Sequence, residues 1–526
     1  MTQYAGRAGR AGHGATPAGA TPPGSGTDTG YEQELQRGLS LWSTFSVGFA
    51  TVSPVVGIYA VVSLGYITAG PAWIWLVPLV LVLQLTVASV YAELASQWPI
   101  AGGCYQWVRR LAGDRLGWFT GFLYLASAIA SLSTVAYLGG PWLYSLFAGH
   151  PPTAGQQVLC GAGFLVLALL INQMGVNPLK WFLNAGIIAE AIASIGIGLA
   201  LLFFFRNHPF SMLFDGPAAG AGSGGFLAAL AVGGWAFLGF DACSQVSEET
   251  VNPRRDVPRA ILRSLTMVGL VVLLTAVSVT LSFEDVAGAE SGAVVDPVAG
   301  SVTDAFGGWA ERPFAAVVLI AFIACAVSIQ TYLGRAVFGM ARDGMLPASG
   351  ALRRISSRKV PHIALWTVTV LAGCGLLLGL NGNAAGTLIA FGSGGFYIVF
   401  LIVAGTALWG RLSGRWQPAK GAFVLGRKGL ALNVVAVVWL VFESINVAWP
   451  RTELAAPGAP WFVVWAVIIV FSALSVLGLL YLFIAKPHLR IAKSESFATP
   501  VDPASPAGSP DSPDSPDSPA HVLEQR

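Results

Sequence analysis

The sequence predicts an all-α polytopic membrane protein with about twelve transmembrane helices. Of its 526 residues, 55% are hydrophobic and only 10% are charged, too little charge to cover a soluble protein of this length. Apolar stretches recur along most of the chain, each long enough to cross a hydrocarbon core about 30 Å thick. These runs are continuous, whereas the strands of a membrane barrel alternate in and out over about ten residues.

Taken in order, the spans fall near 41–66, 71–95, 117–147, 155–173, 180–205, 225–246, 259–283, 313–340, 362–381, 385–409, 429–449 and 461–485. The third is long, and the ninth and tenth meet at the polar step "NGNAAG". Before them, residues 1–35 read as a disordered tail, because the first 30 contain no apolar core of a signal peptide. After residue 490 the chain ends in a low-complexity "SPDSPDSPDSP" repeat, unfit to pack a core. The transmembrane domain is therefore expected over 36–490, between tails at 1–35 and 491–526. The cysteines at 104, 160, 243, 325 and 374 have no CxxC spacing, as small membrane-buried residues do rather than disulfides or metal ligands.

Basic residues set the orientation. With a cytoplasmic N-terminus, only Arg206, Arg312 and Arg451 fall in or beside outward loops, while "RRLAGDR", "NPRRDVPRAILR", "RRISSRK" and "GRLSGRWQPAKGAFVLGRK" face inward. That is a positive-inside bias, and it predicts a multi-pass plasma (inner) membrane protein with both termini cytoplasmic. Topology alone explains these basic loops, so no nucleic-acid partner is expected. The outward loop 284–312 is acidic.

Two spans interrupt themselves. The first contains "SPVVGI", where Pro54 removes a backbone donor and crowds the preceding turn. The sixth contains "GGWAFLGFDA", with three glycines and then Asp241. The breaks lie five helices apart, so the second block of five starts from the opposite side of the membrane. Corresponding broken helices in two halves point to an inverted-repeat transporter, because freed backbone groups are tolerated in a membrane only where they are buried or line a cavity. Ordinary proline and glycine kinks are the simpler alternative for either break alone.

The loops carry a resemblance. "YAELASQWPIAGGCYQWVRRLAG" (91–113), "SEETVNPRRDVPRAI" (247–261) and "GMARDGMLPASGALRRISSRKVPHIAL" (339–365) resemble the loops after helices two, six and eight of amino acid permeases in the amino acid–polyamine–organocation superfamily. "GAFVLGRKGLALN" (421–433) and "SPVVGI" (53–58) are similar to the amino acid/choline and GABA permease branch. The resemblance covers about residues 31 to 490. It implies a LeuT-type fold, with repeat one near 41–205, repeat two near 225–409 and two peripheral helices near 429–485. It also implies proton-coupled uptake, or exchange, of an amino acid or a small amine such as GABA, with no cofactor and no metal.

The candidate substrate-binding residues follow from the breaks. Ser53, Val55, Val56 and Gly57 would offer freed backbone groups, mainly donors for a substrate carboxylate. Trp235 occupies the position that, in the family, holds an aromatic lid over the substrate, or else packs between helices; it and Phe237 flank the break at Gly239. Phe240 offers a ring face to an amine, or simply packs. Asp241 either caps freed N–H groups of the second half-helix, or meets a cationic amine or a proton.

Glu190, alone inside the fifth span, aligns where several sodium-independent relatives carry a lysine; it reads either as a proton-coupling group or as a carboxylate bonded to a neighbouring helix. Ser328 and Thr331 read as helix–helix glue near the family's second sodium position, and Glu443 as structural. Glu93, Glu249 and Arg259 are inner-gate candidates within a wider cluster of Glu248, Arg254, Arg255 and Arg342.

No GxSxG, HExxH or Walker pattern is present, so an enzyme is not expected. A channel would show repeated pore signatures or rings of like charge. A sensor that binds without transporting is the remaining alternative.

Overall fold

The computed structural model describes residues 31–490, except 32, 149, 217–222, 295, 417–421 and 452–459. Of the expected tails at 1–35 and 491–526, residues 1–30 and 491–526 lie outside the described residues, whereas the end of the first is ordered, with Tyr31 bonded to Asp343 and Leu35 buried. Twelve helical stretches among them are long and apolar enough to cross a membrane.

The first span is two helices, α1 (Leu41–Val52) and α2 (Pro54–Ala69), and a 3₁₀ turn then leads to α3 (Leu76–Gln97). The short α4 (Gly103–Ala112) precedes the third span, α5 (Asp114–Ser145), and the fourth, α6 (Ala154–Gln173). A π-helical turn, Ala191–Gly196, joins α7 (Val176–Glu190) to α8 (Ile197–Phe204) within the fifth span. The sixth is α9 (Ser223–Gly233) and α10 (Ala242–Gln245), and the seventh is α11 (Pro253–Ser282).

Two short helices, α12 (Val286–Ser291) and α13 (Pro297–Phe306), fold the acidic loop before the eighth span, α14 (Glu311–Arg342). Then come α15 (Ser349–Leu352), α16 (His362–Leu376), α17 (Gly382–Leu412), α18 (Gly429–Ala448), α19 (Trp461–Val464) and α20 (Ala466–Ala485). Differences from the predicted spans are local. Helix α11 begins earlier than expected because Pro253 occupies its first turn, where a missing N–H costs nothing.

Pairing between the halves shows the inverted repeat. Helices at equivalent places in the two repeats pack on each other: α3 on α11, α5 on α14 and α6 on α16. The cross-pairs match as well, with α5 against α17 and α14 against α7. In their most apolar stretches 83% of the first span and 82% of the sixth are buried, against 33% and 11% of the eleventh and twelfth. The broken spans therefore form the centre, and the last two the periphery.

The basic loops gather at one end. The segment 31–40 runs across that end: Gly38 and Leu39 N–H groups donate to the Glu249 carbonyl, and Val251 N–H donates to the Leu39 carbonyl, each over 2.9 Å. Lys180 Nζ holds the Gly38 carbonyl at 2.7 Å.

Candidate functional site

The first break is one residue wide. Ser53 has φ +47°, a backbone region that non-glycine residues seldom occupy, and it separates α1 from α2. Ser53 N–H still closes the end of α1 on the Phe49 carbonyl at 2.8 Å. At the start of α2, Pro54 has no N–H to offer. Val55 N–H donates to Glu190 Oε2 at 2.9 Å, Val56 N–H to Ser53 Oγ at 3.2 Å, and Gly57 N–H to the Ser53 carbonyl at 2.9 Å. The Ser53 hydroxyl in turn donates to Glu190 Oε1. The donors expected to meet a substrate carboxylate are all engaged by the protein itself. Glu190 bridges both sides of the break, and the π-helical turn, a feature frequent at functional sites, begins directly after it.

The second break is wider. A 3₁₀ turn at Gly234–Phe237 leads to extended Leu238 and to Gly239 at φ +95°. Gly239 is required twice over, by that φ and by space, since a Cβ there would lie 2.6 Å from Thr51 Cγ2. Gly57 serves a related purpose. A Cβ on it would stand 3.2 Å from both Cα and Cβ of Ala236, so this glycine lets the two broken spans touch.

Between the breaks lies a cavity lined by Thr51, Val52, Val56, Trp235, Gly239 and Leu238 from the broken spans, and by Ser131, Val135, Cys325, Ile329, Tyr332 and Phe396 from α5, α14 and α17. All of these residues are buried. Its water-accessible volume is about 20 Å³, room for about one ordered water. The space between the two breaks is thus small, and the residues that line it are packed closely around it.

Asp241 lies two residues past Gly239 and is fully buried. It makes no side-chain cap on α10. Instead Oδ2 accepts from the Tyr124 hydroxyl at 2.7 Å, and Oδ1 has no hydrogen-bond partner among the described residues. Tyr91, Tyr332 and Cys104 lie within electrostatic range of the same carboxylate. A connected group of rings surrounds this region: Tyr91, Phe240, Phe400, Phe396, Tyr124 and Tyr332, with successive centroids 5.1 to 6.1 Å apart.

Of the predicted residues of the second break, Trp235 lines the cavity, while Phe237, Phe240 and Asp241 are buried outside its lining. Phe240 packs on Tyr91 and Phe400.

At the basic end, buried ion pairs join separate elements of the bundle. Glu249 pairs with Arg335 over 2.7 and 3.3 Å, and Glu248 with Arg342 over 2.9 and 3.1 Å. Glu93 pairs with Arg411. Asp343 collects Arg109 at 2.8 Å, Tyr105 at 2.7 Å and Tyr31 at 3.0 Å. Burial, and then the Asp343 carboxylate, push the Tyr31 hydroxyl up to about 12, so it stays a donor throughout the physiological range.

Arg259 is exposed and makes no ion pair among the described residues. Arg335 and Arg411 hold the acids instead. Both sit inside or at the end of apolar helices, where the sequence gives no sign of their partners. Ser328 ties α14 to α1 through the Val47 carbonyl at 2.8 Å and Thr51 Oγ1 at 2.7 Å. Thr331 ties α14 to α6 through Asn172 Oδ1 at 2.6 Å. Glu443 is buried in α18 and accepts from Asn446 Nδ2 at 3.2 Å.

Two inverted repeats whose broken helices meet at a buried cavity define a secondary transporter of small polar solutes with the LeuT-like topology. A family model described as "Amino acid permease" matches residues 39–477. The chain belongs to that family, within the amino acid–polyamine–organocation superfamily. It is 25% identical to the amino-acid permease BAT1 homolog of Oryza sativa subsp. japonica, over 83% of this chain and 92% of the relative. It is 28% identical to the L-methionine/branched-chain amino acid exporter YjeH of Escherichia coli, over 79% and 97%. Against the choline transporter of Saccharomyces cerevisiae the identity is 24%, over 80% and 77%.

Proposed function

We propose that the chain is a permease that takes up an amino acid or a small amine across the plasma membrane by alternating access, with residues 36–490 as the transport domain and a proton as the coupling ion. GABA-like compounds, choline and related amino acids are the first group to test, from the likeness of "SPVVGI" and "GAFVLGRKGLALN" to that branch and from the likeness to a choline transporter and an amino acid exporter. The observation that carries the reading is Asp241. A fully buried carboxylate with one oxygen bonded to Tyr124 and the other without a partner among the described residues, set among aromatic rings of which Tyr332 and Phe396 line the cavity, is suited to receive a positive charge. Trp235 covers the cavity as its lid, and Val56 and Gly239 form its walls.

Glu190 and Asp241 are the buried acids placed at the two breaks, where either can carry a coupling proton, and among the described residues neither has a basic residue paired with it. Glu93 and Glu249, with Arg411 and Arg335, hold the inner gate. Exchange or export is a second reading, favoured by the likeness to an exporter.

Purified protein in liposomes, offered radiolabelled amino acids, choline, GABA and polyamines with and without a pH gradient, tests these points together. Uptake into empty vesicles that rises with an inward proton gradient is expected. Uptake confined to preloaded vesicles identifies an exchanger, and ligand-induced thermal stabilisation without flux refutes transport.

A further inference from the structure

We propose that Glu190 is a built-in carboxylate that fills the anion place at the first break, so that the site selects amines carrying no carboxylate of their own. This narrows the permease reading to its amine substrates and rests on it.

The N-terminus of α2 is a place for one anion, because its N–H groups and dipole point at whatever caps it. Here the cap is internal. Val55 N–H and the Ser53 hydroxyl both donate to the Glu190 carboxylate, one to each oxygen. Ser53 Oγ and the Ser53 carbonyl take the N–H groups of Val56 and Gly57. Pro54 supplies no donor at all. A substrate carboxylate arriving at α2 would find no donor open, and Glu190 already there.

Nothing else in the centre invites a second anion. The twelve residues lining the cavity include no lysine, arginine or histidine. No basic side chain among the described residues pairs with Glu190 or Asp241. Two carboxylates brought close in a buried site repel each other, and one of them has to give up its charge or leave. The second break, by contrast, holds the Asp241 carboxylate, whose Oδ1 has no partner among the described residues, within a cluster of rings of which Tyr332 and Phe396 line the cavity, a setting that suits an ammonium or quaternary ammonium head. The acid–ring pairing at one break and the filled anion place at the other define the same substrate: an organic cation with a neutral tail. On this reasoning GABA falls on the disfavoured side, because of its carboxylate.

The test uses the full chain in liposomes and matched pairs that differ by a carboxylate: choline and glycine betaine, putrescine and ornithine, isoamylamine and leucine. In the wild type the carboxylate-free member of each transported pair should win by at least tenfold in kcat/KM. Glu190→Ser, which frees the Val55 N–H, should narrow that gap at least tenfold, chiefly by lowering KM for the carboxylate-bearing member. Glu190→Gln, which removes the charge and keeps an acceptor for Val55, should narrow it less and checks that the break still folds.

Wild-type protein that carries the carboxylate-bearing members equally well or better overturns the inference while leaving the permease reading intact. A preference unchanged in both variants overturns Glu190 as its cause. If no member of any pair moves, the inference falls together with the permease reading.

Discussion

The ion pair between Glu249 and Arg335 gives a test of the closed basic end. Its partners are 1% and 2% exposed, and both oxygens of Glu249 are engaged. Replacing Arg335 by Met preserves much of the side-chain volume and leaves Glu249 as a buried charge without a counter-ion. Breaking such a pair costs about 3–5 kcal/mol. Because Arg335 lies on α14 and Glu249 follows α10, that loss falls on the form in which the two are docked. At about 1.4 kcal/mol per factor of ten, the open forms should gain on the order of 10² to a few times 10³ in population.

Cys243 reports the opening. It is buried on α10, with its thiol 3.4 Å from the Thr44 carbonyl of α1, so it becomes reachable when α1 swings off α10. Maleimide labelling of Cys243 in liposomes, followed by mass spectrometry, should be much faster in Arg335→Met and in Glu249→Gln than in the wild type. A double variant, Glu249→Met with Arg335→Met, replaces both charges by apolar groups, an exchange that is often neutral or stabilising in a buried site. Its labelling should return near the wild-type rate. If Arg335→Met labels no faster than wild type, or if the double variant opens as far as the single ones, the pair does not hold the end closed.

Asp241→Asn should abolish uptake of cationic amines while leaving the melting temperature within a few degrees, and uptake with unchanged KM would remove Asp241 from the site. Tyr124→Phe strips the hydrogen bond from Asp241 Oδ2, a bond to a charged group worth about 1.5–3 kcal/mol; transport kinetics should shift at least tenfold, and unchanged kinetics would show that Tyr124 does not position the acid. Gly239→Ala should destabilise by at least about 2 kcal/mol, from left-handed strain together with overpacking against Thr51, and the added Thr51→Ser should recover part of the thermal loss by removing Cγ2. Tyr31→Phe removes a hydroxyl that donates to Asp343 and does not titrate below about 12; its effect on transport should therefore be the same at pH 6 and pH 8, and a pH-dependent difference would contradict that donor role.

The spans, their number and both breaks were legible in the sequence because each is a local property. A run of apolar residues long enough for a bilayer has few alternatives, and Ser53–Pro54 or Gly233–Gly239 cannot continue a helix without strain or loss of a hydrogen bond. Asp241 stood out for the same reason, as a charge where charge is costly. The tertiary structure decided what those local features face. Whether Val55 N–H stays open or is taken depends on Glu190, which is 135 residues away in the chain and reaches it only because α7 packs beside α1.

The partner of Asp241 comes from α5, 117 residues away, and the partners of Glu93 and Glu249 come from α17 and α14. A tyrosine or an arginine inside an apolar helix announces neither its direction nor its neighbour, because helix periodicity fixes a face and packing fixes what that face meets. The sequence by itself determined where the chain breaks and which residues are costly to bury. Only the assembled bundle, by closing distances of a hundred residues and more to hydrogen-bond length, decided that one break is capped by the protein's own carboxylate and that the other holds a carboxylate oxygen with no partner among the described residues.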